Sequence, residues 1–174
     1  MKNRRMLGFI LFTALLLAVS LPCSLPALAE EDLRKHPSCP YCGMDRTKFA
    51  HSRSYIIYDD KTSVGTCSLH CTAIDLSLKI DKSPFAISVA DYNTKKLVDA
   101  EKAFWVIGGG KMGVMTKRAK WAFALQADAL NFISAFGGQT ADYSQSVKAA
   151  FEDMYEDLMM IRHKRQKMKK KKDS

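Results

Sequence analysis

The chain lacks several features that mark common enzymes and nucleic-acid-binding proteins. It has no internal repeat and no long linker of proline, serine or glycine, so its 174 residues predict one domain with at most an appendage. No nucleophile–base pair and no pair of acid–base carboxylates stands out, and we therefore do not predict an enzyme. The triple glycine at 108–110 lacks the flanking pattern of a phosphate-binding loop. No basic face carries interleaved aromatic residues, which argues against nucleic acid as a partner.

The N-terminus has too short an apolar run to span a bilayer comfortably, since a transmembrane helix needs about 20 apolar residues. The run, residues 6–21, follows three basic residues, and Ala27-Leu28-Ala29 provides a cleavage site. This arrangement is typical of a secretory signal peptide. We predict that residues 1–29 are removed and that the protein is periplasmic or otherwise extracytoplasmic. Cys23 is an alternative lipid-attachment site, which would make a membrane-anchored lipoprotein, but the residues before it fit a lipoprotein signal poorly.

Acidic and basic residues nearly cancel away from the two ends of the chain. Of the net charge of +9, the predicted signal contributes +3 and residues 162–174 contribute +7, which leaves −1 for residues 30–161. The excess of basic charge is therefore a property of the C-terminal tail. Two roles are open for this Lys-rich tail. One is contact with an anionic membrane surface, where each basic residue contributes about 1 kcal/mol, and the other is simple solvation.

Two kinds of short apolar pattern predict an α+β fold, in which small antiparallel sheets pack against helices. Alternating apolar residues predict strands, and apolar residues spaced by three and four predict helices. The predicted strands are 53–58, 63–67, 85–92, 96–98, 103–107 and 112–115, and the predicted helices are 69–80, 126–136 and a long amphipathic helix from 145 into the tail. Residues 30–38 are expected to be irregular. We divide the mature chain into a body, residues 30–143, and a C-terminal helix with its tail, residues 144–174.

Four of the five cysteines fall into two short clusters. The first is Cys39-Pro-Tyr-Cys42-Gly-Met44, and the second, separated from it by 24 residues counted from Cys42, is Cys67-Ser-Leu-His70-Cys71. Folding alone does not require two pairs of closely spaced thiols with a methionine and a histidine among them. The clusters therefore predict a metal site.

Two metals fit these ligands, and the residues leave the choice open. Zn²⁺ favours four thiolates at such spacings, because both sulfurs of a pair then face one ion. Cu(I) is softer and accepts thioethers, so Met44, two residues after Cys42, favours copper. His70 and two methionines that follow the glycine run, Met112 and Met115, are further candidates. The predicted ligand set is Cys39, Cys42, Met44, Cys67, His70, Cys71, Met115 and Met112, with Cu(I) as the first metal and Zn²⁺ as the alternative.

A redox role for the cysteines is the third interpretation. Cysteine pairs in an oxidising compartment often form disulfides, and at these spacings they would close small, strained loops that are redox-active rather than structural. Residues 39–42 also spell the glutaredoxin tetrapeptide. In that fold the tetrapeptide follows a strand and opens a helix, whereas here His36-Pro37-Ser38 precedes it and Gly43 follows it. The context therefore favours metal binding over thiol–disulfide exchange.

Several blocks of residues, taken in order, resemble the NosL family of nitrous oxide reductase accessory proteins. The resemblance covers about residues 36–145 and begins with the C-x-x-C-G-M element at 39–44. The later blocks are Ala90-Asp91-Tyr92, Asp99-Ala100 with Ala103, Phe104 and Val106, Ala122-Phe123 after a methionine, and Gly137-Gly138 after a helix. The first half also resembles the YHS/TRASH heavy-metal modules, in which an aromatic hairpin separates a C-G-M element from a C-S-x-H-C element like that at 67–71. Both resemblances point to metal binding.

The NosL resemblance implies an exported, usually lipid-anchored chaperone that binds Cu(I) and delivers it to a copper enzyme under assembly, such as nitrous oxide reductase. It also implies an α+β fold of two ββαβ-like halves, similar to the core domain of organomercurial lyase. By position, Cys42 and Met44 match the family's C-x-M element, and Cys39 matches its preceding cysteine. Met115 matches the later methionine of the family, whereas Met112 is out of register and is held second. The implied partner is a client copper enzyme or a copper transporter.

Three features depart from the family pattern. The lipid-attachment signal is poor. Cys67 and Cys71 exceed the family's minimum set of cysteines, which predicts either one site richer in thiolate or two sites. The Lys-rich helical tail lies outside the resemblance, so it gives no indication of which client is served.

Overall fold

The computed structural model describes residues 28–172, so nearly all of the predicted signal segment, and Cys23 with it, lies outside the described residues. Helices and strands alternate irregularly along them. In chain order they are α1 (Leu28–Lys35), β1 (Ser54–Tyr58), β2 (Ser63–Thr66), α2 (Leu69–Leu78), β3 (Pro84–Ala90), β4 (Leu97–Asp99), β5 (Phe104–Ile107), β6 (Lys120–Phe123), α3 (Gln126–Phe136), β7 (Gln139–Ala141), α4 (Tyr143–Glu152) and α5 (Met154–Lys172). Among these helices none has both the length and the apolar character needed to cross a membrane. The predicted α+β class is confirmed.

The strands form two small antiparallel sheets that share one topology. The first half runs β1-β2-α2-β3, and its sheet has the order β2-β1-β3-β4. The second half runs β5-β6-α3-β7, and its sheet has the order β6-β5-β7. In each half the first strand is therefore central, with its hairpin partner on one side and the strand after the helix on the other. The chain thus has the two ββαβ-like halves that the resemblance implies, with β4 added to the first.

The first sheet follows from the alternation in β1. Ile56 and Tyr58 are buried, while Tyr55 and Ile57 are half-buried, because successive side chains of a strand point to opposite faces. Ile56 pairs with Val64 of β2 on one side and with Ile87 of β3 on the other. The predicted hairpin at 53–67 is therefore present, and β1 buries its apolar face at the centre of the sheet.

Two apolar clusters join the halves. The first combines three cysteines of the first half with apolar residues of the second, and its buried members are Cys39, Cys67, Cys71, Val106, Val114, Ala119, Trp121, Phe123, Ala129 and Phe132. The second lies around α2, β3, β5 and α4, and its buried members are Leu69, Ala73, Val89, Ala100, Ala103, Trp105, Ala122 and Ala150. We call the first the thiol-side cluster. It places the cysteines in the interface between the halves.

The predicted strand at 112–115 is wrong, because a later segment takes its place beside β5. Met115 has a φ of 62°, which a β-strand does not allow. The chain instead loops from 108 to 119 and then pairs with β5 as β6. All four residues of β6 are buried, so the segment lacks the alternation from which a strand is predicted.

Helices occupy two segments where a different structure was expected. Residues 30–38 are not irregular, because α1 covers most of them. A helix of 8 residues is marginal on its own, and α1 is held to the body by Asp32, whose carboxylate pairs with the buried Arg46. The single helix expected from residue 145 is two helices, α4 and α5, which meet at Asp153. The C-terminal helix is therefore free to take a direction of its own.

Candidate metal centre

Four cysteine thiols meet between the two halves of the protein. The sulfur atoms of Cys39, Cys42, Cys67 and Cys71 all lie within 4.8 Å of one another. The sulfur of Cys67 lies 3.4 Å from that of Cys42 and 3.7 Å from that of Cys71. All four are free thiols. A tetrahedral ion with sulfur ligands at about 2.3 Å holds these ligands roughly 3.8 Å apart, so the cluster has the size of a site for one metal ion.

Burial separates one of these thiols from the other three. Cys39, Cys67 and Cys71 are at most 1% exposed, whereas Cys42 is partly exposed. The apolar side chains of the thiol-side cluster, Trp121 and Phe123 among them, pack against the buried sulfurs. Cys42 is therefore the thiol of the four at which a metal ion or a second protein reaches the site.

The first cysteine pair lies in a tight turn that its own backbone closes. The amide of Cys39 donates to the carbonyl of Met44 at 2.9 Å, and the amide of Gly43 donates to the carbonyl of Cys39 at 2.8 Å. Gly43 has a φ of 77°, a left-handed conformation that glycine adopts without steric cost. The glycine of the C-x-x-C-G-M element thus reverses the chain so that both thiols face one point.

The second cysteine pair lies where β2 passes into α2. Cys67 directly follows β2, and Cys71 lies in the first turn of α2, with Ser68 at the N-cap position. The free amides and the dipole at a helix N-terminus favour negative charge nearby. This junction therefore brings two sulfurs to the end of a helix that suits thiolates.

Tyr41, inside the first pair, fastens its turn to α2. Its hydroxyl donates to one oxygen of the buried carboxyl of Asp75, and the hydroxyl of Tyr58 donates to the other. Lys79 completes the group with its ammonium 2.9 Å from Asp75. Burial, followed by the bond to Asp75, raises the pKa of Tyr41. The tyrosine therefore remains a neutral donor that holds the turn close to Cys71.

The buried Arg46, just after the turn of the first cysteine pair, bonds to the backbone beside the second pair. Arg46 donates from Nε to the carbonyl of Thr66, the residue before Cys67, at 3.0 Å. Its Nη2 lies 2.8 Å from the carboxylate of Asp32, which also accepts from Nε of Arg53 at 2.9 Å. Both arginines are at most 1% exposed. Buried charges are tolerated when they are paired and fully hydrogen-bonded, and this network fixes the spacing between the two cysteine pairs.

Mutual contacts divide the thiols into two kinds. Hydrogen bonds from the other three thiols, that of Cys42 first, lower the pKa of Cys39 well below its usual value. Contacts with Cys39 and Cys42 raise the pKa of both Cys67 and Cys71, and burial adds to the effect. The thiolate is the form that binds a metal ion. The cluster therefore releases protons when its thiols bind metal.

The other four predicted ligands lie in three different surroundings. Met44 and Met115 are partly buried and pack against the thiol-side cluster. Met112 is 82% exposed. His70 is buried with Nδ1 3.2 Å from Oδ2 of Asp157 in α5, and no group in the described part of the chain bonds its Nε2. A histidine that binds a metal commonly has its other nitrogen bonded to a carboxylate in this way, so His70 has the surroundings of a ligand although it is not one of the four clustered groups.

Three residues that shape the site are absent from the predicted set. Tyr41 lies within the first motif, but no spacing rule marks its hydroxyl as an anchor. Asp75 follows Cys71 by four residues and so lies on the same face of α2. This spacing is a sequence signal from which Asp75 could be predicted to lie at the site. Asp157 lies 87 residues beyond His70, and no pattern in the sequence connects the two.

Comparison with known proteins assigns the chain to a family. Residues 30–151 match the family model described as NosL. The chain belongs to the NosL family. Among solved structures it is similar to the crystal structure of the copper chaperone NosL from Shewanella denitrificans, with 20% identity over 62% of this chain and 87% of that chain and a TM-score of 0.49. A search of curated proteins finds no match.

The NosL match contains the whole thiol cluster and ends before α5. All eight predicted ligands lie within residues 30–151, as do both sheets. Helix α5 begins at Met154, beyond the matched range, although its Asp157 bonds to His70. This NosL-family chain therefore brings a helix from outside the family model against its metal centre.

Proposed function

We propose that this chain is an exported copper chaperone, which holds Cu(I) at the four-thiol cluster and delivers it to a copper enzyme such as nitrous oxide reductase. The observation that carries the proposal is the convergence of four free thiols within 4.8 Å of one another in a member of the NosL family. Thiolates and thioethers are soft ligands and favour Cu(I). The client is a copper enzyme, or a copper transporter, that the chain meets outside the cytoplasm.

The proposed ligands form a partly exposed side of the site, from which copper leaves, and a buried side. Cys42 and Met44 lie in one turn and are both partly exposed, so they form the side of the site from which copper leaves. Cys39, with Cys67 and Cys71, forms the buried side. Met115 packs against the same apolar cluster and supplies a second thioether, and His70 is a further ligand. Support for copper over zinc comes from the two methionines, Met44 and Met115, that pack against the thiol-side cluster.

Transfer proceeds by ligand exchange and needs no redox step. Cu(I) is stable with a small number of ligands, so a thiolate or thioether of the receiving protein binds the metal beside Cys42 before Cys42 leaves. The charge of the ion does not change, and the thiolate that leaves takes up a proton from water. Burial of the other three thiols keeps water away from the ion until the new ligand arrives.

A structural Zn²⁺ site is the second candidate function. Its support is the spacing of the four sulfurs, which suits a tetrahedral ion, together with the burial of three of them. A structural zinc site contributes directly to folding, and removal of the metal unfolds many such proteins. The two candidates therefore differ in whether the fold depends on the metal.

The deciding experiment is an anaerobic titration of the reduced chain with Cu(I) against a chromophoric chelator, repeated with Zn²⁺. A chaperone binds Cu(I) in competition with the chelator, loses affinity in Met44→Ala, and keeps its circular dichroism spectrum without metal. A zinc protein is indifferent to Met44→Ala and unfolds when Zn²⁺ is withdrawn. A chain that binds neither metal but forms a reversible disulfide between Cys39 and Cys42 would instead be a thiol–disulfide protein.

Export has its own test. Mass spectrometry of the chain made in a bacterial host with an outer compartment identifies its N-terminus. A chain that begins at Glu30 supports the removal of residues 1–29, whereas a lipid-bearing N-terminal Cys23 supports membrane anchoring. Retention of Met1 in the cytoplasmic fraction contradicts both.

A further inference from the structure

Helix α5 touches the metal centre at two points along its length. Near its start, the buried Asp157 accepts from the amide of Lys117 at 3.0 Å and lies 3.2 Å from Nδ1 of His70. Further along, Nη2 of Arg165 donates to the carbonyl of Cys42 at 3.2 Å. The step of eight residues from Asp157 to Arg165 spans about 12 Å of helix. Helix α5 therefore runs from the histidine of the second cysteine pair to the partly exposed cysteine of the first.

Beyond Asp157 the helix becomes strongly basic. Residues 162–172 contain eight Lys or Arg and no Asp or Glu, whereas residues 30–161 carry a net charge of −1. Every residue from 162 to 172 is exposed. Electrostatic interactions in water reach about 8 Å at physiological salt. The contact between Arg165 and Cys42 therefore places the positive field of the tail beside the opening of the metal centre.

We propose that this basic segment of α5 is a docking surface for an acidic face of the protein that receives the copper. The inference rests on the proposed function, because it concerns the same site. A receiving ligand has to approach Cu(I) at Cys42, and the protein that carries it then lies against Arg165 and the helix around it. Complementary charge at such a contact accelerates association and excludes partners of the wrong sign.

The position of Arg165 favours a protein over a lipid surface as the occupant. Anionic headgroups offer the same negative charge, but they supply no thiolate or thioether to take Cu(I) from the site. A membrane pressed against α5 at residue 165 would also cover Cys42 and obstruct exchange. An acidic protein face satisfies the charge of α5 and brings a copper ligand to Cys42 in the same encounter.

The test measures Cu(I) transfer from the loaded full chain to two synthetic peptides. Both peptides contain the same cysteine and methionine ligands, and the flanking residues are glutamates in one and glutamines in the other. At low salt we expect transfer to the acidic peptide to be about tenfold faster, in line with electrostatic steering. Stopped-flow traces at high salt should bring the two rates close together, because salt screens the attraction.

A pair of variants assigns the effect to α5. In one, Lys164, Lys167 and Lys169 of the tail are changed to glutamine; in the other, the same change is made at Lys61, Lys96 and Lys102, which are exposed on the body. Both lose the same net charge. The tail variant should lose most of the preference for the acidic peptide and keep its affinity for Cu(I), whereas the body variant should behave as the parent does.

Several outcomes would overturn the inference without touching the proposed function. Equal transfer to both peptides is one, and a preference that survives in the tail variant is another. Binding of the chain to phosphatidylserine vesicles, with no preference between peptides, would assign the tail to a membrane instead. If the chain fails to bind Cu(I), the proposed function is wrong. Docking is then tested on the metal-free chain by alkylation of Cys42. Slower alkylation with the acidic peptide, but not with the neutral one, supports docking, and equal rates overturn it.

Discussion

Nδ1 of His70 lies 3.2 Å from Oδ2 of Asp157, and both side chains are 1% exposed. The contact joins the helix that carries Cys71 to a helix outside the NosL match. The second oxygen of Asp157 accepts from the amide of Lys117, in the loop that follows Met115. One carboxylate therefore links α5 to α2 and to the loop that follows Met115.

Loss of this carboxylate should destabilise the chain and loosen α5. In Asp157→Ala the buried Nδ1 of His70 and the amide of Lys117 lose their partner, which costs about 2–3 kcal/mol of the free energy of unfolding. Urea denaturation measures that loss. Glu156→Ala, at an exposed position of the same helix, is the matched control and should remain near the parent. Equal stability of the two variants would mean that α5 is not docked through Asp157.

The ion pairs of Asp32 give a second prediction. Asp32→Asn removes the charge that compensates the buried Arg46 and Arg53, and an uncompensated buried charge costs about 3–5 kcal/mol. Because Arg46 also bonds to the carbonyl before Cys67, we expect weaker metal binding as well. Glu31→Gln changes an exposed residue of the same helix and should alter neither quantity. Chemical denaturation and a metal titration of the three chains check this, and a stable Asp32→Asn chain would contradict it.

The sequence predicts those elements whose residues alternate or recur on one face. The hairpin at 53–67 and the helix at 126–136 have such patterns, and both are present. β6 is not foreseen because all four of its residues are buried, so its apolar residues do not alternate with exposed ones. Its Lys120 is buried because Nζ pairs with Oδ2 of Asp153 at 2.5 Å. Asp153 lies between α4 and α5, and no local pattern indicates this partner. α1 is not foreseen because its stability comes from Asp32, a tertiary contact, and not from its own propensity.

The candidate site also combines features that the sequence predicts with contacts that only the packing of the fold creates. The cysteine spacings predict metal binding and leave one site or two open, and in the structure the sulfurs of both pairs lie together. The sequence does not reveal that Tyr41 and Tyr58 share Asp75 or that Asp157 reaches His70. Each of these contacts joins residues brought together only by the packing of helices on the sheets, and side-chain periodicity contains no information about such pairs.

The two tyrosines on Asp75 allow a matched comparison. Tyr41→Phe and Tyr58→Phe each remove one hydrogen bond to the same carboxyl, so each should lower the free energy of unfolding by about 1–2 kcal/mol. Only Tyr41 lies between the two cysteines of the first pair. We therefore expect faster metal release and faster alkylation of Cys42 in Tyr41→Phe alone. Stopped-flow release into a chelator decides the point, and identical release rates in the two variants would show that Asp75 does not hold the turn.

The three methionines among the predicted ligands distinguish copper from zinc. Met44 and Met115 pack against the thiol-side cluster, whereas Met112 is 82% exposed. We expect Met44→Ala and Met115→Ala each to weaken Cu(I) binding roughly tenfold, which corresponds to about 1.4 kcal/mol, because a thioether stabilises Cu(I) and gives little to Zn²⁺. Zn²⁺ affinity should stay within about twofold of the parent's, a difference of under 0.5 kcal/mol. Met112→Ala serves as the comparison and should leave both affinities unchanged.

This result depends on keeping the loss of a ligand apart from the loss of packing. Alanine at Met44 or Met115 also removes apolar contacts from the thiol-side cluster, and a loosened cluster would weaken both metals together. Leucine at the same positions restores most of the volume without the sulfur. If the leucine variant loses Cu(I) affinity as the alanine variant does, but keeps the parent's affinity for Zn²⁺, the methionine at that position is a thioether ligand of copper. If leucine restores Cu(I) binding, the methionines only fill space, and the thiols alone hold the metal.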